Sequence, residues 1–304
     1  MADNIIWFKG ELIPQSQASV PVLSSTAQFG LNVFEGIRCY WNEKERQLYA
    51  FRLKEHFDRL QTSCKLIRIE CPYDSNQLED ALIKSIQANE FKSDCAVRMT
   101  LFVESEGSWS TEGGSVGMFV APILRTRVQL PVKVGKKACV SSWERINDNC
   151  LPPRVKAGSN YINGRYAHMA AIRGGYDLPI FLDHNGVVAE GAGACIFIVR
   201  NGKLITPPMA ASILESITRQ TLIDFAGDLG FDVVERDIAR TELYVSDEIF
   251  FCGSAAEITP IVSVDNYDVG SGAVGPITNG MHARYLEITS GEIEKYRNWI
   301  TPIY

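Results

Sequence analysis

Histidine is scarce in this chain: four in 304 residues, at His56, His168, His184 and His282, all far apart. No pair stands at a metal-ligand spacing, so no metal centre is expected. Eight cysteines (Cys39, Cys64, Cys71, Cys95, Cys139, Cys150, Cys195 and Cys252) include no C-x-x-C pair. Scattered in a chain of this size, they read as reduced, mostly buried thiols, which implies a cytoplasmic protein. No window approaches the roughly 20 apolar residues of a membrane span. Met1 to Gly10 lacks a basic stretch followed by an apolar run, so no secretory leader is expected. Basic residues do not exceed acidic ones, and the net charge is −6. Nothing therefore favours a polyanion such as nucleic acid. A small anionic ligand would need a few local arginines or backbone N–H groups. There is no G-x-G-x-x-G or Walker sequence, no repeat and no low-complexity tract.

What is present is ordinary globular composition, 46% hydrophobic and 22% charged. The length suits one large domain or two smaller ones. Ile5–Phe8 and Ala18–Val22 read as a hairpin. Val33–Tyr40 and Gln47–Arg52 read as two further strands. A helix from about Lys54 carries Phe57, Leu60 and Cys64 on one face, and a second spans roughly Asn76–Phe91. Ala96–Val103 and Gly117–Leu124 are strands. The polar stretch after them, 125–133, reads as a linker between a domain at 1–124 and another at 134–304. Beyond it lie a helix at about Ser159–Arg173 and two Asn-Gly hairpins, at Asn185-Gly186 and Asn201-Gly202. A helix from Ser216 to Leu229 follows, with strands at Phe231–Val234 and Glu248–Cys252. The reading is mixed α and β, rich in hairpins and poor in βαβ units.

Lys156 is the residue that draws attention. It follows Pro152-Pro153 and precedes Ala157-Gly158, where the backbone is turn-like and fixed. Taken alone, such a lysine is a solvated surface residue. A lysine that forms a Schiff base must offer its free amine at neutral pH, which burial and a nearby cation favour. Glu190 ends a strand and is followed by Gly191-Ala192-Gly193. A carboxylate there can hold the proton on a pyridine nitrogen, or it can be a solvated hairpin edge. Ser216-Ile217-Thr218 opens a helix, whose first N–H groups can take a phosphate. Gly253-Ser254-Ala255-Ala256 is a second small-residue turn able to approach an anion, and alone an ordinary tight turn. Arg59 sits beside the apolar face of the first helix, where its guanidinium could fork onto a phosphate.

Six fragments occur in order: Val33-Phe34-Glu35-Gly36-Ile37-Arg38-Cys39-Tyr40, His56-Phe57-Asp58-Arg59-Leu60, Lys156-Ala157-Gly158-x-x-Tyr161, Ala189-Glu190-Gly191, Leu214-x-x-Ile217-Thr218 and Gly253-Ser254-Ala255-Ala256-Glu257. Together they resemble the class IV, fold type IV pyridoxal-phosphate aminotransferases, most closely the branched-chain enzymes. The resemblance implies an α+β fold, with a small N-terminal α/β domain and a larger C-terminal domain with a barrel-like β core. It implies pyridoxal 5'-phosphate between them and a homodimer with shared sites. The partners it implies are an amino acid and a 2-oxo acid. Lys156 would carry the cofactor and shuttle the proton, with Glu190 on the ring nitrogen and Tyr161 on the phenolic oxygen. Arg59, Ile217, Thr218 and Ser254 would hold the phosphate, and Leu214 would pack on the ring. Phe34, Gly36, Arg38, Arg98, Ser254 and Ala255 would line the substrate side.

The chain departs from the branched-chain pattern in three places. Ala96 and Phe29 stand where that pattern has hydroxyl-bearing aromatics, and Ala194-Cys195 replaces Glu-Asn. A pocket wider or differently charged is the expectation. D-amino-acid or (R)-amine transaminases, an aminodeoxychorismate lyase and a non-enzymatic binding protein stand as alternatives.

Overall fold

The computed structural model describes residues 3–110 and 112–304; Met1 and Ala2, the first residues of the stretch expected to hold no leader, and Thr111 lie outside the described residues. The chain divides into two compact units. The first runs to Arg127 and takes in Val155–Ser159 and Glu287–Tyr304; the second is Val128–Arg154 with Asn160–Leu286.

In the first unit β1 (Ile5–Phe8) and β2 (Glu11–Pro14) form a hairpin, followed by α1 (Ser25–Phe29). Next come β3 (Asn32–Asn42), β4 (Gln47–Phe51), α2 (Leu53–Leu66) and α3 (Ser75–Gln87). β5 (Cys95–Val103) and β6 (Val116–Leu124) complete the run. The second strand of the first hairpin is Glu11–Pro14, not Ala18–Val22. Lys9 and Gly10 adopt positive φ, 53° and 102°. They turn the chain in two residues, so the return strand begins at once.

Alternation along β3 sorts the side chains. Val33, Ile37 and Cys39 join a core with Val97, Met99 and Leu101 of β5 and with Phe57, Leu60, Leu78 and Leu82 of the helices. Phe34, Gly36 and Arg38 hold the opposite parity, paired across the ladder with Thr100, Arg98 and Ala96. Apolar faces, not propensity, hold helices this short. α3 adds a capping box in which Asp74 and Gln77 satisfy each other's backbone N–H groups.

The second unit begins with β7 (Lys136–Val140), α4 (Tyr161–Arg173) and β8 (Leu178–Leu182), a parallel crossover. β9 (Val188–Gly191), β10 (Cys195–Arg200) and β11 (Lys203–Thr206) follow. α5 (Ile217–Ala226) then leads to β12 (Val233–Glu235), parallel to β11. β13 (Glu248–Gly253), β14 (Glu257–Val264) and the short β15 (Tyr267–Asp268) end the sheet. Its order is β12-β11-β10-β13-β14-β7-β8-β9, with β15 on β14. β9 also runs beside β10, so the sheet curls back on itself. Both Asn-Gly turns stand as expected, with Gly186 at φ 78°, Asn201 at 51° and Gly202 at 73°.

α6 (Pro276–Thr289) was not legible in the sequence. The Glu248 carboxylate accepts from the backbone N–H of Ile277 at 3.0 Å and of Thr278 at 2.7 Å, which caps it. β16 (Ile300–Pro302) returns to the first unit and pairs with β4, giving the order β16-β4-β3-β5-β6-β1-β2. The structure therefore divides the chain differently from 1–124 and 134–304. The final strand completes the first sheet, and Val155 and Ala157 lie in the first core.

Candidate active site

Lys156 sits in the first unit on a segment zipped to the start of β3. Its carbonyl accepts from Phe34 N at 3.0 Å, and Gly158 N donates to Asn32 O at 3.3 Å. A methyl group at Gly158 would lie 2.6 Å from Asn32 Oδ1, so a larger residue there would have to displace the Asn32 side chain. The N–H of Lys156 donates to the Ser63 hydroxyl of α2 at 3.1 Å. The half-buried side chain places Nζ 5.0 Å from the centre of the Phe34 ring. The Arg98 guanidinium lies 4.2 Å from the same ring and that of Arg38 5.2 Å from Tyr40. Phe34, Gly36, Arg38 and Arg98 thus share one face of β3 and β5, and the space above Gly36 is open.

Arg59 is anchored by a residue the sequence reading did not single out for a role. Glu35, fully buried on the core face of β3, accepts from Arg59 Nε at 2.8 Å and Nη2 at 2.7 Å. His56 Nδ1 lies 2.7 Å from the second oxygen. Burial alone would raise the Glu35 carboxyl, but Arg59 and then His56 override it and hold it well below the usual carboxylate range. Burial lowers His56 from its ordinary value, against the pull of Glu35, and nearby Arg59 and Lys156 add to the lowering. A charged residue at a core-facing position of a strand was the one signal available.

In the second unit Glu190 is the penultimate residue of β9 and is buried. Its Oε1 accepts from Arg145 Nε at 2.8 Å and from Leu214 N at 3.3 Å. Arg145 reaches Asn163 Oδ1 of α4 at 3.2 Å. Glu190 and Leu214 are therefore brought together. Tyr161, the first residue of α4, is adjacent to Gly193: a methyl there would lie 3.7 Å from its ring. The turn after β13 is also close, since a methyl on Gly253 would sit 3.6 Å from Gly193 O. Ser254 is half-buried and Ala255 exposed. Ser216 caps α5, accepting from Arg219 N at 3.2 Å, and Ile217 and Thr218 are its first two residues. Arg145 lies in a loop without periodicity and carries no signal in the sequence.

These groups fit pyridoxal phosphate by chemistry. They provide an amine, a buried carboxylate for a ring nitrogen, a capped helix N-terminus, and an arginine held at two nitrogens for an anion. Among the described residues, no group of three or more His, Cys, Asp or Glu could hold a metal ion. No described helix is long and apolar enough to cross a membrane.

Sheet topology and site chemistry together define a class IV aminotransferase. A family model described as "Amino-transferase class IV" matches residues 32–264, and the chain belongs to that family. It is 37% identical over 302 residues to a protein of Aquifex aeolicus named "Probable branched-chain-amino-acid aminotransferase", covering 99% of this chain and 97% of that one. It is similar to the solved branched-chain amino acid aminotransferase of Thermobaculum terrenum in its PLP form. The TM-score is 0.93 and identity 41%, with 99% of each chain covered. It is equally similar to the enzyme of Thermoproteus uzoniensis solved with norvaline, at TM-score 0.93 and 41% identity over the whole of both chains.

Proposed function

We propose that this chain transfers an amino group from a branched-chain or other hydrophobic L-amino acid to a 2-oxo acid such as 2-oxoglutarate. Pyridoxal 5'-phosphate would be held on Lys156. The observation that carries the reading is end-to-end likeness to branched-chain aminotransferases. When bound, the cofactor supplies an electron sink for the bonds at the substrate α-carbon. Lys156 supplies the amine that anchors it and the base that moves the α-proton. Glu190 holds the proton at the ring nitrogen, Tyr161 donates to the phenolic oxygen, and Leu214 packs on the ring. Arg59, Ile217, Thr218 and Ser254 hold the phosphate. Phe34, Gly36, Arg38, Arg98, Ser254 and Ala255 line the substrate side. A cytoplasmic homodimer with shared sites completes the proposal.

Half-reactions followed by cofactor absorbance test this with L-amino acids, D-amino acids and amines. The reading expects hydrophobic L-amino acids to react and a 2-oxo acid to restore the starting spectrum. Reaction confined to D-amino acids or amines would overturn it. So would release of pyruvate from a single substrate with no 2-oxo acid.

Ala96, paired across the ladder with Arg38, supports a second element, a pocket wider or differently charged than the usual branched-chain one. Efficient turnover of leucine, isoleucine and valine alike with 2-oxoglutarate would rule that out.

A further inference from the structure

The two oxygens of the Glu190 carboxylate are held unequally. Oε1 accepts two N–H groups, one of them from a guanidinium. For Oε2, among the described residues, the partner is the Cys195 thiol at 3.7 Å. Cys195 is fully enclosed at the start of β10, with its sulfur also 3.7 Å from Leu214 O and beside the hydroxyl of Ser216, the cap of α5. Directly across the ladder stands Cys252, another buried thiol. Burial, then the Glu190 charge, pushes the Cys195 thiol well above its usual range. It stays protonated and acts as a weak donor, never as a competing base.

We infer that Arg145 and Cys195 are positioning residues that divide the labour of Glu190. Arg145 fixes one oxygen and its charge, while the weak thiol leaves the other as the acceptor for the ring-nitrogen proton of pyridoxal phosphate. The inference rests on the proposed role of Glu190. A strong donor at position 195 would occupy the lone pairs of Oε2 and lower its hold on that proton. A thiol at 3.7 Å does so only weakly. The Arg145 guanidinium, donating to Oε1 at 2.8 Å, competes for the same carboxylate charge that the ring-nitrogen proton would use.

The test is the 15N resonance of pyridoxal phosphate labelled at its ring nitrogen, bound to the holoenzyme. Cys195→Ser should move it toward the unprotonated position, and Cys195→Ala should leave it at or beyond the wild-type protonated position. Arg145→Met should move it further toward protonation, and Arg145→Lys should restore it. Equal positions for the serine and alanine variants, or no response to loss of the Arg145 charge, would overturn the inference. Glu190→Gln separates the two levels. If that variant leaves the resonance in place, it is the proposed role of Glu190 that fails.

Discussion

Arg59 presents Nε and Nη2 to the two oxygens of Glu35, at 2.8 and 2.7 Å. This fork fixes the plane of the guanidinium from the buried side of β3. Glu35→Gln should therefore weaken retention of pyridoxal phosphate. Breaking a buried pair on one side costs about 3–5 kcal/mol, so the apo-protein should lose stability as well. Urea unfolding and equilibrium dialysis of the cofactor check both effects. A variant as stable and as cofactor-retentive as the wild type would remove Glu35 from the account.

The same pair sets an acid response. Glu35 is held below its ordinary value of 4.5 in the folded chain. Its contribution is present above that value and is lost as the unfolded chain takes up the proton at lower pH. His56 is lowered from 6.5, so the unfolded chain also binds its proton first, and stability begins to fall below about that pH. Unfolding free energy measured from pH 7 down to about 4 should decline throughout. Glu35→Gln should flatten the part below 4.5. A variant slope identical to wild type there would contradict the assignment.

Gly164→Ala pits two effects against each other. Alanine inside a helix gains about 1 kcal/mol over glycine. Here the methyl would lie 2.5 Å from Ala192 O, a backbone atom two residues past Glu190. Overpacking of this kind costs about 1–3 kcal/mol, so the substitution should destabilise. It should also loosen the cofactor, because the carbonyl that must yield belongs to the segment after β9. A raised melting temperature would show that the segment moves freely.

Ser216→Ala removes the cap of α5. The expected loss is about 1 kcal/mol, with faster release of the cofactor, read by thermal melts of apo- and holo-protein. A loss in both forms of equal size would mean that the cap serves the helix alone.

Much of this was legible in the sequence because it lay in short local patterns. The Asn-Gly turns and the apolar face of Phe57, Leu60 and Cys64 follow from neighbouring residues. Lys156 stood out through the turn it occupies and the ordered fragments around it. Glu35 did not, since a core-facing carboxylate makes sense only once Arg59 and His56 are seen against it. Arg145 acts across 45 positions of sequence, which no periodicity encodes. β16 joins the first sheet from the far end of the chain through pairing with β4. A reading by segments therefore placed it with the second domain.

The most direct measurement is borohydride reduction of the holoenzyme followed by peptide mass analysis. The account predicts one pyridoxyl-phosphate adduct, on Lys156, and none after Lys156→Ala. An adduct on a different lysine, or a Lys156→Ala protein that is still labelled, would contradict it.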